Sequence, residues 1–148
     1  MNDIAALESR IHSGIPLSRA MRFRICSLDG HAIRVEAPLE PNINVHGTGF
    51  AGSLYALGIL TAWAMTAHVI ARAGLDAELV VASATIRYRA PVTGDITCAC
   101  DVEVPAAAAF VAALGGRGRA RLALRVQIGA GPAAEIEAHM HAQAEATP

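Results

Sequence analysis

Residues 46–65 read HGTGFAGSLYALGILTAWAM, and the fold turns on how this run is understood. Gly47-Thr48-Gly49-Phe50-Ala51-Gly52 satisfies the G-x-G-x-x-G spacing that lets a backbone approach a dinucleotide pyrophosphate. The run is also uncharged as far as His68, close to the roughly 20 residues that cross a bilayer. A third reading is a glycine-rich entry to a helix buried by protein, with a reacting group at its first turn.

The flanking sequence discriminates among these. Upstream, Ile4, Leu7 and Ile11 recur at helical spacing and predict a helix over 4–12, ending near Gly14-Ile15-Pro16. Period-two alternation follows. Met21, Phe23 and Ile25 oppose Arg22 and Arg24, then Ile33, Val35 and Ala37 oppose Arg34 and Glu36, with Asp29-Gly30 as a hairpin signal between them. Downstream, Ala82, Ala84, Ile86 and Tyr88 alternate with Ser83, Thr85, Arg87 and Arg89, and PVTGD (91–95) reads as a turn into Ile96, Cys98, Cys100 and Val102. Residues 105–114 predict a short helix, started by Pro105 and stopped by Gly115-Gly116. Two more alternating runs, Leu122 to Ile128 and Ile136 to Met140, complete six strands with one apolar and one polar face each.

Half-polar strands need an apolar partner, and a helix with no polar face needs surroundings. A sheet wrapped around the helix that runs from Phe50 to about Arg72 satisfies both, so no membrane span is expected. The dinucleotide reading fails on context, because EPNINVH separates the preceding strand from Gly47 and the strand connections suit antiparallel pairing. The expected class is α+β, with an antiparallel sheet around one long central helix and a single domain over 1–148.

Composition narrows function further. The 148 residues are 53% apolar and 17% charged, which excludes disorder. A net charge of −1 argues against nucleic acid as a partner. All twelve basic residues are Arg. The N-terminal MNDIAALESR has early acids and no basic region before an apolar core, so a cytoplasmic protein is expected, with Cys26, Cys98 and Cys100 as reduced thiols. His139 and His141 share a strand face without a third ligand, so no metal or other cofactor is expected.

The element order resembles the hotdog fold, named for the helix that its sheet wraps. Many hotdog acyl-thioester hydrolases carry N-x-x-G-T-x-H-G-G on entering the central helix. Here the segment runs from Asn44 through Gly47, Thr48 and Phe50 to Gly52, keeping Asn44, Gly47, Thr48 and Gly52. The longer phrase APLEPNINVHGTGFAGSLYALGILTAW resembles the thioesterase domain known as the YiiD C-terminal type. Two departures stand out. Phe50 occupies the motif's His position, and the acid that many relatives place nine residues later falls at Ile59. No Asp or Glu lies between Glu40 and Asp76, so the helix offers no carboxylate base.

The resemblance implies an acyl thioesterase acting on acyl-coenzyme A or an acyl-carrier-protein thioester, assembled as a homodimer or higher homo-oligomer. Thr48 is expected as the helix N-cap, leaving the amides of Ala51, Gly52 and Ser53 to meet the thioester oxyanion. Asn44 and His46 are candidates to orient or activate water, with Gly52 and Ser53 as the polarising groups. Thr48, Phe50 and Ala51 complete the substrate-facing segment. Arg87 and Arg89, and likewise Arg117, Arg119 and Arg121, are candidate phosphate contacts to a coenzyme A or acyl-carrier-protein arm, against the plainer reading of a solvated strand face. A non-catalytic acyl-thioester or lipid-binding module, favoured by the missing acid, and a hotdog hydratase are the competing readings.

Overall fold

A computed structural model describes residues 3–145. Helix α1 (Asp3–Gly14) ends where Pro16 starts a second short helix, α2 (Pro16–Ala20), which the periodicity did not reveal. Strands β1 (Arg24–Leu28) and β2 (Ala32–Ala37) form the expected hairpin. Asp29 Oδ1 shapes its turn by accepting from the amides of His31 and Ala32 at 2.8 and 2.9 Å. A 3₁₀ turn (Glu40–Asn42) leads towards the central helix α3 (Ala51–Arg72). The remaining elements are β3 (Ala77–Tyr88), β4 (Ile96–Asp101), α4 (Val104–Arg117), β5 (Arg119–Ile128) and β6 (Ala134–Ala144).

The six strands form one sheet in the order β1-β2-β4-β5-β6-β3, antiparallel throughout. Residues 91–95 therefore do not join neighbouring strands, as a tight turn would. They cross from the β3 edge towards β4, in the other half of the sheet, and bury Val92 on the way. Strand β3 also departs from a single alternation. Leu79 and Val81 face the core, Ala84 and Ile86 face it again, and Ala82 is the unpaired residue of a bulge between Val81 and Ser83. The bulge reverses the phase, so Ala82 is exposed rather than on the apolar face.

Helix α3 is long and apolar enough to cross a membrane, yet most of that length lies inside the protein. It packs on β2, β4, β5, β6 and β3, giving the hotdog architecture of a sheet around a central helix. The approach is close because Gly58 has no side chain. A methyl there would lie 2.5 Å from Ile136 Cδ1 and 3.0 Å from Ile128 Cδ1. Two hydroxyls buried on α3 are satisfied within the helix, Thr61 donating to the Leu57 carbonyl at 2.7 Å and Thr66 to the Ala62 carbonyl at 2.9 Å. Cys98 and Cys100 point into the same core, as their spacing predicts, and burial pushes both thiols up to about 12.

Candidate active site

The loop before α3 is a small hairpin built by one asparagine. The Asn44 amide donates to the Thr48 carbonyl at 2.8 Å. Asn44 Oδ1 accepts from the amides of His46 (2.8 Å) and Thr48 (3.1 Å), and Nδ2 donates to Thr48 Oγ1 (2.9 Å) and the Gly49 carbonyl (3.3 Å). These four bonds fill the side chain's hydrogen-bonding capacity within the loop and make Asn44 its organiser. Thr48 is consequently not the helix cap. Its hydroxyl belongs to Asn44, the N-cap position is Phe50, and no side chain caps the helix there.

Asn42, which no local motif singles out, anchors this loop from beneath. It is buried, donates to the carbonyls of Met21 (3.0 Å) and Pro38 (2.8 Å), and its own carbonyl accepts from the Phe50 amide at 2.7 Å. The Gly49 amide donates to the Val92 carbonyl at 2.8 Å, so the 91–95 crossover fixes the other side of the entry. The tip is open to solvent, with Val45 95% exposed and His46 exposed beside it.

The first backbone bond of α3 runs from the Leu54 amide to the Phe50 carbonyl at 3.0 Å. The amides of Ala51, Gly52 and Ser53 make no hydrogen bond among the described residues. Three free donors at the positive end of a 22-residue helix form an electrostatic well for an anion or a developing oxyanion. The Phe50 ring lies directly over Gly52. A methyl on Gly52 would overlap Phe50 Cε2 and lie 2.9 Å from Cζ. Any side chain at position 52 must therefore displace the ring that replaces the motif's histidine.

Tyr88, which alternation marks only as part of an apolar face, also belongs to the site. Its hydroxyl donates to the Ala51 carbonyl at 2.8 Å and ties the sheet edge to the first helical turn. Burial, followed by neighbouring Tyr55, raises its pKa. Arg87, one position earlier, points to the opposite face of β3 and sits in register with Glu135. Arg89 lies past the strand end, where its amide donates to the Ala133 carbonyl at 2.8 Å. Arg87 is thus not brought to the helix entry, whereas Thr48, Phe50, Ala51, Gly52 and Ser53 are contiguous there. Among the described residues no cluster of three or more His, Cys, Asp or Glu is arranged to hold a metal.

The family model described as "Putative thioesterase (yiiD_Cterm)" matches residues 4–140. The chain belongs to this YiiD C-terminal thioesterase family. A solved structure from Shewanella oneidensis, described as a "putative thioesterase", is 31% identical, with 97% of this chain and 98% of that one covered at a TM-score of 0.86. A protein of unknown function from Chlorobaculum tepidum is 27% identical over 95% of this chain and 94% of its own, with a TM-score of 0.91. A Pseudomonas aeruginosa protein titled a probable thioesterase shares the fold at a TM-score of 0.80 and 22% identity, covering 95% of each chain. This YiiD C-terminal domain has a glycine-rich helix entry with phenylalanine at position 50 and no acid along α3.

Proposed function

We propose that this protein hydrolyses an acyl thioester carried by coenzyme A or an acyl carrier protein. The observation that carries the reading is the set of unpartnered amides at Ala51, Gly52 and Ser53, at the entry of a buried helix in a thioesterase family. The thioester carbonyl oxygen accepts from Gly52 and Ser53. Water adds to the carbonyl carbon, the oxyanion is held by these amides, and its collapse expels the thiolate and leaves the carboxylic acid. Losing one such donor costs about 3 kcal/mol of transition-state stabilisation, so backbone polarisation alone is a substantial catalyst. His46 is the imidazole this loop offers as general base, while Asn44 acts by shaping the loop and Tyr88 by fixing the first turn.

A homodimer belongs to the same proposal. Strand β3 has an unpaired edge along its 12 residues, with Val80 50% and Tyr88 49% exposed. Val45, Phe50 and Tyr55 extend this exposed apolar surface around the helix entry. Such an edge calls for a cover, and a second copy supplies one. A cytoplasmic setting accords with three free thiols.

The competing reading, a non-catalytic acyl-thioester binding module, draws on the Phe50 ring over Gly52 and the acid-free helix. Thiol release across short, medium and long acyl thioesters separates the two, with wild type beside Asn44→Ala and His46→Ala. We expect turnover of at least one chain length and lower rates in both variants. Acyl-thioester binding without thiol release at any chain length would leave only the binding module.

A further inference from the structure

A groove of about 620 Å³ runs between α4 and β5. It lies at the opposite end of the sheet from the first turn of α3, which Tyr88 ties to the end of β3 that pairs with Ala134. Its origin is an incomplete strand pairing. β5 pairs with β6 from Arg119 to Ile128, but with β4 only from Val126 to Ile128. Along Arg119–Arg125 one edge of β5 therefore has no neighbouring strand, and half of that stretch's amides and carbonyls lack a ladder partner. Helix α4 packs alongside instead, and its small residues Ala106, Ala109 and Ala113 form the opposite wall.

The charge pattern of this groove differs from the rest of the sheet. Arg24 meets Glu36 at 2.6 Å, Arg34 meets Asp101 at 2.9 Å, Arg125 meets Glu135 at 3.7 Å, and Arg87 is in register with Glu135. Arg24, Arg34 and Arg125 thus each have a carboxylate partner, and Arg87 has a carboxylate opposite it across the strands. Within it, Arg119 faces Gln143 and Arg121 faces His141 across the strands, with no ion pair for either arginine among the described residues. No carboxylate lines the groove. Arg121 thus faces an imidazole and Arg119 an amide, and neither has a carboxylate across the strands. Arg117 stands apart from this argument, because in the last turn of α4 its charge answers the helix dipole.

We propose that this groove binds a nucleoside diphosphate group, either as a free nucleotide or as the nucleotide end of coenzyme A. Arg119 and Arg121 lie on one face of the strand, about 7 Å apart along it, and hold adjoining phosphates. The alanine wall receives the flat base, whose polar edge meets the unpaired backbone groups of β5. The volume is within the range of about 300–1,000 Å³ that small-molecule sites occupy.

The test is calorimetric titration of the full chain with ADP, coenzyme A and inorganic pyrophosphate at low salt. It requires no turnover, so its outcome is independent of the thioesterase reading. ADP and coenzyme A should bind with similar affinity and pyrophosphate more weakly. The pair Arg119→Gln/Arg121→Gln should weaken nucleotide binding by about ten-fold or more, whereas Arg24→Gln, which removes a paired surface arginine, should leave it unchanged. Ala109→Trp, which fills the wall without altering charge, should abolish ADP binding and retain pyrophosphate. This second variant keeps the test valid if the double variant unfolds. Absence of binding by all three ligands at about millimolar concentration, binding of coenzyme A alone, or wild-type ADP affinity in Ala109→Trp would overturn the proposal.

Discussion

Replacing Gly52 by alanine should separate stability from activity. The added methyl would overlap Phe50 Cε2 and lie 2.9 Å from Cζ, against an ordinary carbon contact of about 3.5–4.0 Å. The ring must therefore move by roughly 1 Å or swing away. It is already 52% exposed, so at most about half of a buried phenylalanine's 1.5–3 kcal/mol is at stake, on the order of 1 kcal/mol. Alanine in place of glycine within a helix returns about 0.5–1 kcal/mol. The two effects nearly cancel, and Tm should stay within about 4 °C of wild type. Activity should not be spared. The displaced ring and new methyl crowd the Gly52 and Ser53 amides, and loss of one oxyanion donor corresponds to roughly a hundred-fold fall in kcat. Thermal unfolding and thiol-release kinetics on the same sample measure both quantities. Full turnover in Gly52→Ala would refute the placement of the oxyanion at this turn. A loss of stability above about 3 kcal/mol would refute the argument that the ring is free to move.

The same substitution deeper in α3 should behave differently. Gly58→Ala presses on Ile136 and Ile128, both fully buried, so an overpacking cost of about 1–3 kcal/mol outweighs the helix gain. Adding Ile136→Val removes the clashing methyl, and denaturant unfolding should show the double variant more stable than the summed singles predict. His68, buried between α1 and α3, should make stability fall in mild acid. Desolvation lowers its pKa, outweighing Asp3 and Asp29, which raise it, while Arg72 lowers it further. The unfolded chain then binds the proton more readily. The neutral ring's contribution is full above about 6.5, the ordinary histidine value, and is lost as pH falls through the folded pKa. His68→Leu should flatten that part of a stability–pH curve measured in urea, and an unchanged slope would count against the burial argument. Thiol labelling at mild alkaline pH should modify Cys26 alone in the native protein and all three cysteines in denaturant, because Cys98 and Cys100 are buried with pKa values pushed up to about 12. Rapid native labelling of either core thiol would contradict this packing.

The wrapped helix was legible because one long segment lacks charge and its flanks alternate. Those two facts together demand burial by protein. Strand neighbours were not legible, since alternation identifies a face but not a partner, and β3 pairs with β6 rather than with the strand that follows it. Nor was the bulge at Ala82, because apolar residues from Leu79 to Ala82 leave the phase undefined. At the site, the motif located the free amides correctly at 51–53 but assigned Thr48 a cap that Asn44 prevents. Tyr88 and Asn42 act through backbone partners distant in sequence, and local spacing carries no trace of such contacts.

The three-residue pairing of β4 with β5 also has a mechanical consequence. It divides the sheet into two three-stranded plates, β1-β2-β4 and β5-β6-β3, joined by a narrow seam at Cys98–Cys100 and Val126–Ile128. Strand hydrogen bonds hold each plate together but cross the seam only briefly. The angle between the plates is therefore set chiefly by the side chains of α3, which touches both. The volume of residues along that helix thus acts as a wedge on the curvature of the whole sheet.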